Sequence, residues 1–85
     1  MHTSQSQMIY SRDEWKCRHC GNRSTLTPHH VTFRSAGGGD ESSNILTLCM
    51  KCHDDVHGGR LTIWVRMKTP TNLVVRFIHE ERWKP

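Results

Sequence analysis

The apolar positions of this chain fall into short groups, and its longest alternation lies toward the C-terminal end. Leu61-Thr62-Ile63-Trp64-Val65-Arg66-Met67 and Leu73-Val74-Val75-Arg76-Phe77-Ile78 each have the period-two rhythm of a half-buried strand, with a turn at Lys68-Thr69-Pro70-Thr71-Asn72 between them. They predict a hairpin over 61–79. Leu61, Ile63, Val65 and Met67 fall on its packed face, and Thr62, Trp64, Arg66 and Lys68 on the wet one. A shorter hairpin is predicted upstream. From Thr25 to Phe33 the chain is rich in Thr, Val and Phe, and Pro28 suits an edge strand; Asn44 to Leu48 returns as its partner after the glycine-rich loop 34–43. Cys49 to His57 then reads as a helix that stops at Gly58-Gly59. Residues 1–8 lack periodicity and read as a flexible tail. Ser11-Arg12-Asp13-Glu14 has the spacing of a capping box, which predicts a helical turn from Arg12 toward Lys16, with Ile9 and Trp15 packing on the core. Residues 9–85 contain no repeat and no dividing linker, so they read as a single small α+β domain.

Composition adds a requirement to that pattern. With 85 residues, 34% of them hydrophobic, and a mean hydropathy of −0.69, the core is too small to hold the fold comfortably alone. A chain this short buries only about 60% of its unfolded surface, and small domains usually recruit a disulfide or a metal. Four cysteines and seven histidines point to metal. No apolar stretch approaches the roughly 18 residues of a membrane span, and Met1 to Gln7 is polar, so the expectation is a cytoplasmic protein without a membrane partner. In that compartment thiols stay reduced, and paired cysteines serve as metal ligands or redox groups rather than disulfides. A net charge of +4 and a pI near 9.2 permit a polyanionic partner without requiring one.

Cys17-x2-Cys20 and Cys49-x2-Cys52 offer four thiolates from two tight turns, the donor set of a tetrahedral structural zinc site. Gly21 gives the first turn the backbone freedom to aim both sulfurs at a single ion. Gly21 to Leu48, 28 residues, separates the two pairs, so an ion there closes a loop that carries both His29 and His30. On the helix, Cys49 and Cys52 lie about 60° apart and His53 and His57 about 40° apart, so thiols and imidazoles occupy different sides. A histidine pair at i, i+4 is a divalent-metal clamp, and the His-His strand can add a third imidazole while leaving the fourth free. Strand alternation gives His29 and His30 opposite faces and different jobs. A three-imidazole site keeps coordination positions open for water or substrate, and a spare imidazole is suited to act as the base. Three imidazoles favour Zn²⁺, Ni²⁺, Co²⁺ or Mn²⁺ over oxygen-preferring Mg²⁺.

These residues resemble the HNH nucleases, the ββα-metal superfamily that includes the nuclease colicins and the HNH domain of Cas9-type enzymes. His29-His30-Val31, Gly37-Gly38, Asn44-Ile45-Leu46 and Leu48-Cys49-x2-Cys52-His53-x3-His57 stand in the family's order over residues 17–59, and the cysteine pairs resemble its zinc-stapled branch. The resemblance implies a ββα-metal, treble-clef-like hairpin and helix, here extended by the C-terminal hairpin. It implies that His30 is the general base, that His29, His53 and His57 hold one catalytic divalent metal, and that Asn44 ties the loop to the catalytic strand. It further implies a metal-dependent DNA endonuclease that hydrolyses phosphodiesters by a single-metal mechanism, leaving 5′-phosphate and 3′-hydroxyl ends. Cysteines 17, 20, 49 and 52 are the expected ligands of the structural Zn²⁺. Mn²⁺, Ni²⁺, Co²⁺, Zn²⁺ and Mg²⁺ are the expected choices for the catalytic ion. Arg18, Arg23, Arg34 and Arg60 flank the centre and are the expected phosphate contacts. With no recognition helix legible, the expectation is low-specificity nicking, with a homodimer or a protein partner supplying more, in a bacterial or phage-encoded protein. The rival readings are a non-catalytic zinc module that binds DNA or protein, and a redox or iron–sulfur protein.

Overall fold

Ile45-Leu46-Thr47-Leu48 is a nearly continuous apolar run, which suits a strand with both faces covered. In the computed structural model, which describes residues 3–79, this run forms β2 (Ile45–Cys49), and all five of its residues are buried. Helix α1 (Thr3–Arg12) packs on β2, with Ile9 buried and the Thr47 hydroxyl reaching the Ile9 carbonyl. On the other face Leu46 and Leu48 join Cys17, Cys49, Cys52, Leu61 and Leu73 in the core. β1 (Leu26–His30) pairs antiparallel with β2 in a register running from Leu26 opposite Cys49 to His30 opposite Ile45. In a two-stranded sheet every strand is an edge, so Pro28, which lacks an N–H, is tolerated there.

Helix α2 (Met50–His57) follows β2 without a loop; Cys49, extended at φ −74° and ψ 163°, closes the strand rather than opening the helix. A second antiparallel sheet, β3 (Leu61–Lys68) with β4 (Leu73–His79), completes the α+β architecture. The loop between β1 and β2 contains two single-turn 3₁₀ segments, Arg34–Ala36 and Ser42–Asn44. No helix among the described residues is long and apolar enough to cross a membrane.

Two local expectations are corrected. Residues 3–8 are helical, and the helix ends at Arg12, where a turn was expected to begin, because Glu14 and Trp15 adopt left-handed backbone at φ 62° and 53°. Ile9 is buried as expected, but Trp15 remains about half exposed and packs on Tyr10 with ring centroids 5.4 Å apart. The second correction concerns β3. Its register shifts between Val65 and Met67, where a bulge at Arg66 breaks the alternation; Met67 faces Val74 and both are exposed, as is Val65, so only Leu61 and Ile63 of the expected packed face are covered.

Asp13, read from sequence only as part of a capping box, is the anchor of the N-terminal segment. Its carboxylate accepts bonds from Arg12 Nε at 2.8 Å, Arg18 Nη1 at 3.0 Å and the Thr47 N–H at 3.0 Å. Arg12 goes on to donate to the Ser42 and Ile45 carbonyls, and Arg18 to the Leu73 carbonyl. Burial works to raise the Asp13 carboxyl, yet the Arg12 and Thr47 hydrogen bonds and the two guanidinium charges hold it below the usual carboxylate range.

Candidate metal centre

Two donor clusters flank the β2–α2 junction. In the first, the four cysteine sulfurs lie within 4.8 Å of one another. The turn that carries Cys17 and Cys20 is closed by Gly21 N–H donating to the Cys17 carbonyl and by Gly21 itself at φ 80°. The His19 and Cys20 N–H groups aim at Cys17 Sγ at 3.4 and 3.5 Å. Burial pushes the Cys17 thiol up, but the Cys20, Cys49 and His19 N–H groups, with the Cys52 thiol, more than offset it and lower its pKa to about 7. Cys52 moves the other way, pushed up by burial and by the neighbouring sulfurs. Four thiolates this close repel one another unless a cation sits among them, which is the donor chemistry of a structural zinc site. His19 Nδ1 lies 3.3 Å from Cys52 Sγ and its Nε2 3.2 Å from His79 Nε2, linking the cysteine turn to β4.

The second cluster is His29, His53 and His57, whose donor nitrogens also lie within 4.8 Å of one another. His53 and His57 stack on α2 with centroids 4.8 Å apart, and His29 of β1 meets both rings edge-on, at 4.8 and 5.7 Å. Burial grades across the trio from His29, 2% exposed, through His53 to the exposed His57. Thr27 sets the orientation of His53. Its hydroxyl lies 2.8 Å from the Leu48 carbonyl and 2.7 Å from His53 Nδ1. A carbonyl only accepts, so the hydroxyl proton goes to Leu48, His53 Nδ1–H donates to Oγ1, and Nε2 keeps its lone pair.

His30 stands apart from the trio, as strand alternation requires. Its Nε2 is 2.7 Å from Asp40 Oδ1 in the glycine-rich loop. Asn44, fully buried, fastens that loop to the end of the strand: Oδ1 accepts the Thr32 N–H at 2.8 Å, and Nδ2 donates to the Thr32 and Gly39 carbonyls at 3.0 and 2.8 Å. Gly38 is needed for this closure, since a Cβ there would stand 1.8 Å from the Thr32 carbonyl oxygen.

The HNH endonuclease family model matches residues 17–59, the stretch that runs from the cysteine turn through both clusters. The chain belongs to the HNH endonuclease family. This family member is also similar to Anaredoxin from Nostoc sp. (strain PCC 7120 / SAG 25.82 / UTEX 2576), at 30% identity over 63 residues, covering 73% of this chain and 83% of that protein. No solved structure matches it.

The histidine trio of this HNH chain fits a metal on two observations. His29 Nδ1 is buried without a hydrogen-bond partner, a state that costs about 1–3 kcal/mol unless something else satisfies it. Burial, followed by the nearby His53, His57 and His30, lowers the His29 pKa to about 4, and burial and His57 lower that of His53, so both stay in the neutral form that ligates metal. The four flanking arginines stand in different surroundings. Arg18 is committed to Asp13 and the Leu73 carbonyl, and Arg60 Nε to Asp55 at 3.0 Å. Arg23 is exposed and donates to the Glu14 carbonyl, while the Arg34 side chain lies outside the described residues. Asp40 and Thr27 were missed because neither belongs to a motif; only their contacts across the fold reveal them. Phe33, stacked on His57 at 5.7 Å with 5° between the ring planes, was missed for the same reason.

Proposed function

We propose that this protein is a metal-dependent DNA endonuclease that nicks phosphodiester bonds with a histidine base. The observation that carries this reading is the buried-to-exposed trio of His29, His53 and His57, with a fourth histidine, His30, next in the strand and outside the trio. His29, His53 and His57 would hold a divalent ion, which when bound supplies positive charge against the phosphoryl and leaving oxygens. His30 takes the proton of the water that attacks phosphorus, the P–O3′ bond breaks, and the ends are a 5′-phosphate and a 3′-hydroxyl. Asn44 keeps the loop on the strand that carries His30. Cys17, Cys20, Cys49 and Cys52 hold zinc as the structural ion. DNA is the proposed partner. The net charge of +4 favours it, as do cations with no acidic partner among the described residues: Arg23, Arg66, Lys68 and Arg76. A single centre cuts one strand at a time, so double-strand cleavage would need a second copy or a partner.

The test is nicking of supercoiled plasmid by the wild type and His30→Ala, after EDTA and then with Mg²⁺, Mn²⁺, Ni²⁺, Co²⁺ or Zn²⁺ added separately. The expected result is metal-restored cutting that falls by about 10²- to 10⁴-fold in the variant, with zinc content and melting unchanged. Full activity in His30→Ala overturns the assignment. No cutting by folded wild type with any ion would leave a zinc module that binds without catalysis. The name of the relative Anaredoxin and the four thiolates together favour a second reading, a redox protein whose cysteines carry iron or cycle as dithiols. That reading leaves the histidine trio idle. Metal content and a visible absorption spectrum of the purified protein separate the two.

A further inference from the structure

The glycine-rich loop carries an acid that neither the motif nor the metal clusters use. We infer that Asp40 is a positioning residue for the reaction, holding His30 with Nε2–H toward the loop so that Nδ1 is the nitrogen that accepts the proton. The inference rests on the nuclease reading and adds to it the orientation of the base.

His30 Nε2 and Asp40 Oδ1 are 2.7 Å apart, the short distance of a charge-assisted hydrogen bond. An ionised carboxylate has no proton to give, so Nε2 must carry the hydrogen in this contact. In the neutral imidazole the lone pair is then on Nδ1. Without a fixed acceptor, a neutral imidazole distributes its proton between two nitrogens and rotates about its side chain, and only part of the population presents the basic atom to the water. Asp40 removes that choice.

The surrounding contacts hold Asp40 in place. Asn44 Nδ2 donates to the carbonyl of Gly39, the residue just before Asp40. Gln5 of α1 donates to the Asp40 carbonyl, so the N-terminal helix braces the loop from its other side. Gly38 lets the loop approach Thr32 as no other residue would. Asn44, the loop and His30 thus form a chain of contacts in which the buried amide fixes the acid and the acid fixes the base. The backbone that carries His30 is also pinned by Asn44 through Thr32, so both partners of the dyad are referenced to the same side chain.

The experiment uses the full-length, zinc-loaded protein and its Asp40→Ala and Asp40→Glu variants. Long-range ¹H–¹⁵N spectra at about pH 8, above the unperturbed imidazole range, report which His30 nitrogen bears the proton. The wild type should show Nε2–H, Asp40→Ala a loss of that preference, and Asp40→Glu its retention. Plasmid nicking should show kcat lower by about 10- to 100-fold in Asp40→Ala, with KM and metal content unchanged and substantial recovery in Asp40→Glu. A wild-type spectrum with His30 protonated on Nδ1 overturns the inference whatever the variants do. So does an unchanged kcat in Asp40→Ala of an active enzyme, which leaves the nuclease reading intact. If the wild type does not cut, the nuclease reading fails, and with it the catalytic role of the dyad, although the Nε2–H spectrum still verifies the contact.

Discussion

The two donor clusters lie on either side of the β2–α2 junction and differ in burial and in what neighbours them. Three of the four cysteines are buried within the core cluster itself, next to Leu46, Leu48, Leu61 and Leu73. The histidines instead run from a buried strand residue to an exposed helix end, and only His29 is fully enclosed. A donor set that replaces core side chains couples to folding, whereas one that opens to solvent couples to substrate. The thiolates should therefore decide whether the chain folds, and the imidazoles what the folded chain does.

The largest effect should come from the thiolate side. Cys49→Ser removes a donor buried at the end of β2, and with it a site whose zinc affinity in small domains amounts to roughly 10–16 kcal/mol. The expected outcome is loss of the cooperative melt and of the native circular dichroism spectrum, as with strong chelation of the wild type. His29→Ala should instead keep both the zinc and the melt while losing the ion at the histidines, read by metal analysis. If Cys49→Ser melts like the wild type, the division of labour between the clusters is broken.

Next in size is a fold contribution that needs no metal. Asp13→Asn leaves Arg12 and Arg18 without their shared carboxylate, and removing one partner of a buried ion pair costs about 3 kcal/mol. The acid sensitivity has a definite sign. Because the folded carboxyl is held below its unfolded value near 3.9, it binds fewer protons folded than unfolded, and its stabilisation is fully present above that value. It is lost as pH falls through the lower folded pKa. Denaturant melts at pH 7 and across the acid range should show the variant weaker at pH 7 and converging on the wild type in acid. Parallel curves at every pH would remove Asp13 from this role.

The contrast also explains what was legible in the sequence. The cysteine pairs, the His53–His57 spacing and the His29-His30 dipeptide are local patterns, and periodicity, strand-forming composition and glycine stops together put β1, β2, α2 and both hairpins close to their places. Asp13, Thr27, Asp40 and Phe33 owe their roles to partners distant in sequence, such as Thr47, 34 residues from Asp13, His53, 26 from Thr27, and His30, 10 from Asp40. No spacing rule announces such pairs. The bulge at Arg66 was equally hidden, since one extra residue reverses the outward and inward positions without changing the apolar count. Left-handed backbone at Glu14 and Trp15 ends α1 where composition would let it continue.

Thr27 sharpens the histidine side of the comparison. Thr27→Val keeps the β-branched shape of the strand residue but removes the oxygen that receives His53 Nδ1–H, freeing the imidazole to adopt the other tautomer or rotate. Metal affinity at the histidine cluster should drop by about tenfold, while the thiolate-dependent melt changes little. Calorimetric titration of Mn²⁺ or Ni²⁺ into zinc-loaded protein measures it. A loss of melting temperature with unchanged affinity would make Thr27 a structural residue of the hairpin and nothing more.

The smallest effects should come from the far hairpin, which neither cluster touches through its outer end. Arg66, Lys68 and Arg76 have no acidic partner among the described residues, and Trp64, 58% exposed, stands directly opposite Arg76 in the β3–β4 register. Cations in that state are free to replace condensed counterions on a phosphate backbone, and each that does so steepens the fall of log affinity with log salt by about one. Lys68→Ala and Arg76→Ala should each lower that slope by about one in duplex binding measured by fluorescence anisotropy, with kcat and metal content unchanged. Arg18→Ala should not lower it, because its guanidinium is spent on Asp13 and Leu73; its cost should appear in the melt instead. If the slope falls for Arg18→Ala and not for the hairpin cations, the nucleic acid approaches from the N-terminal side, and the division between fold and chemistry holds while its outer boundary moves.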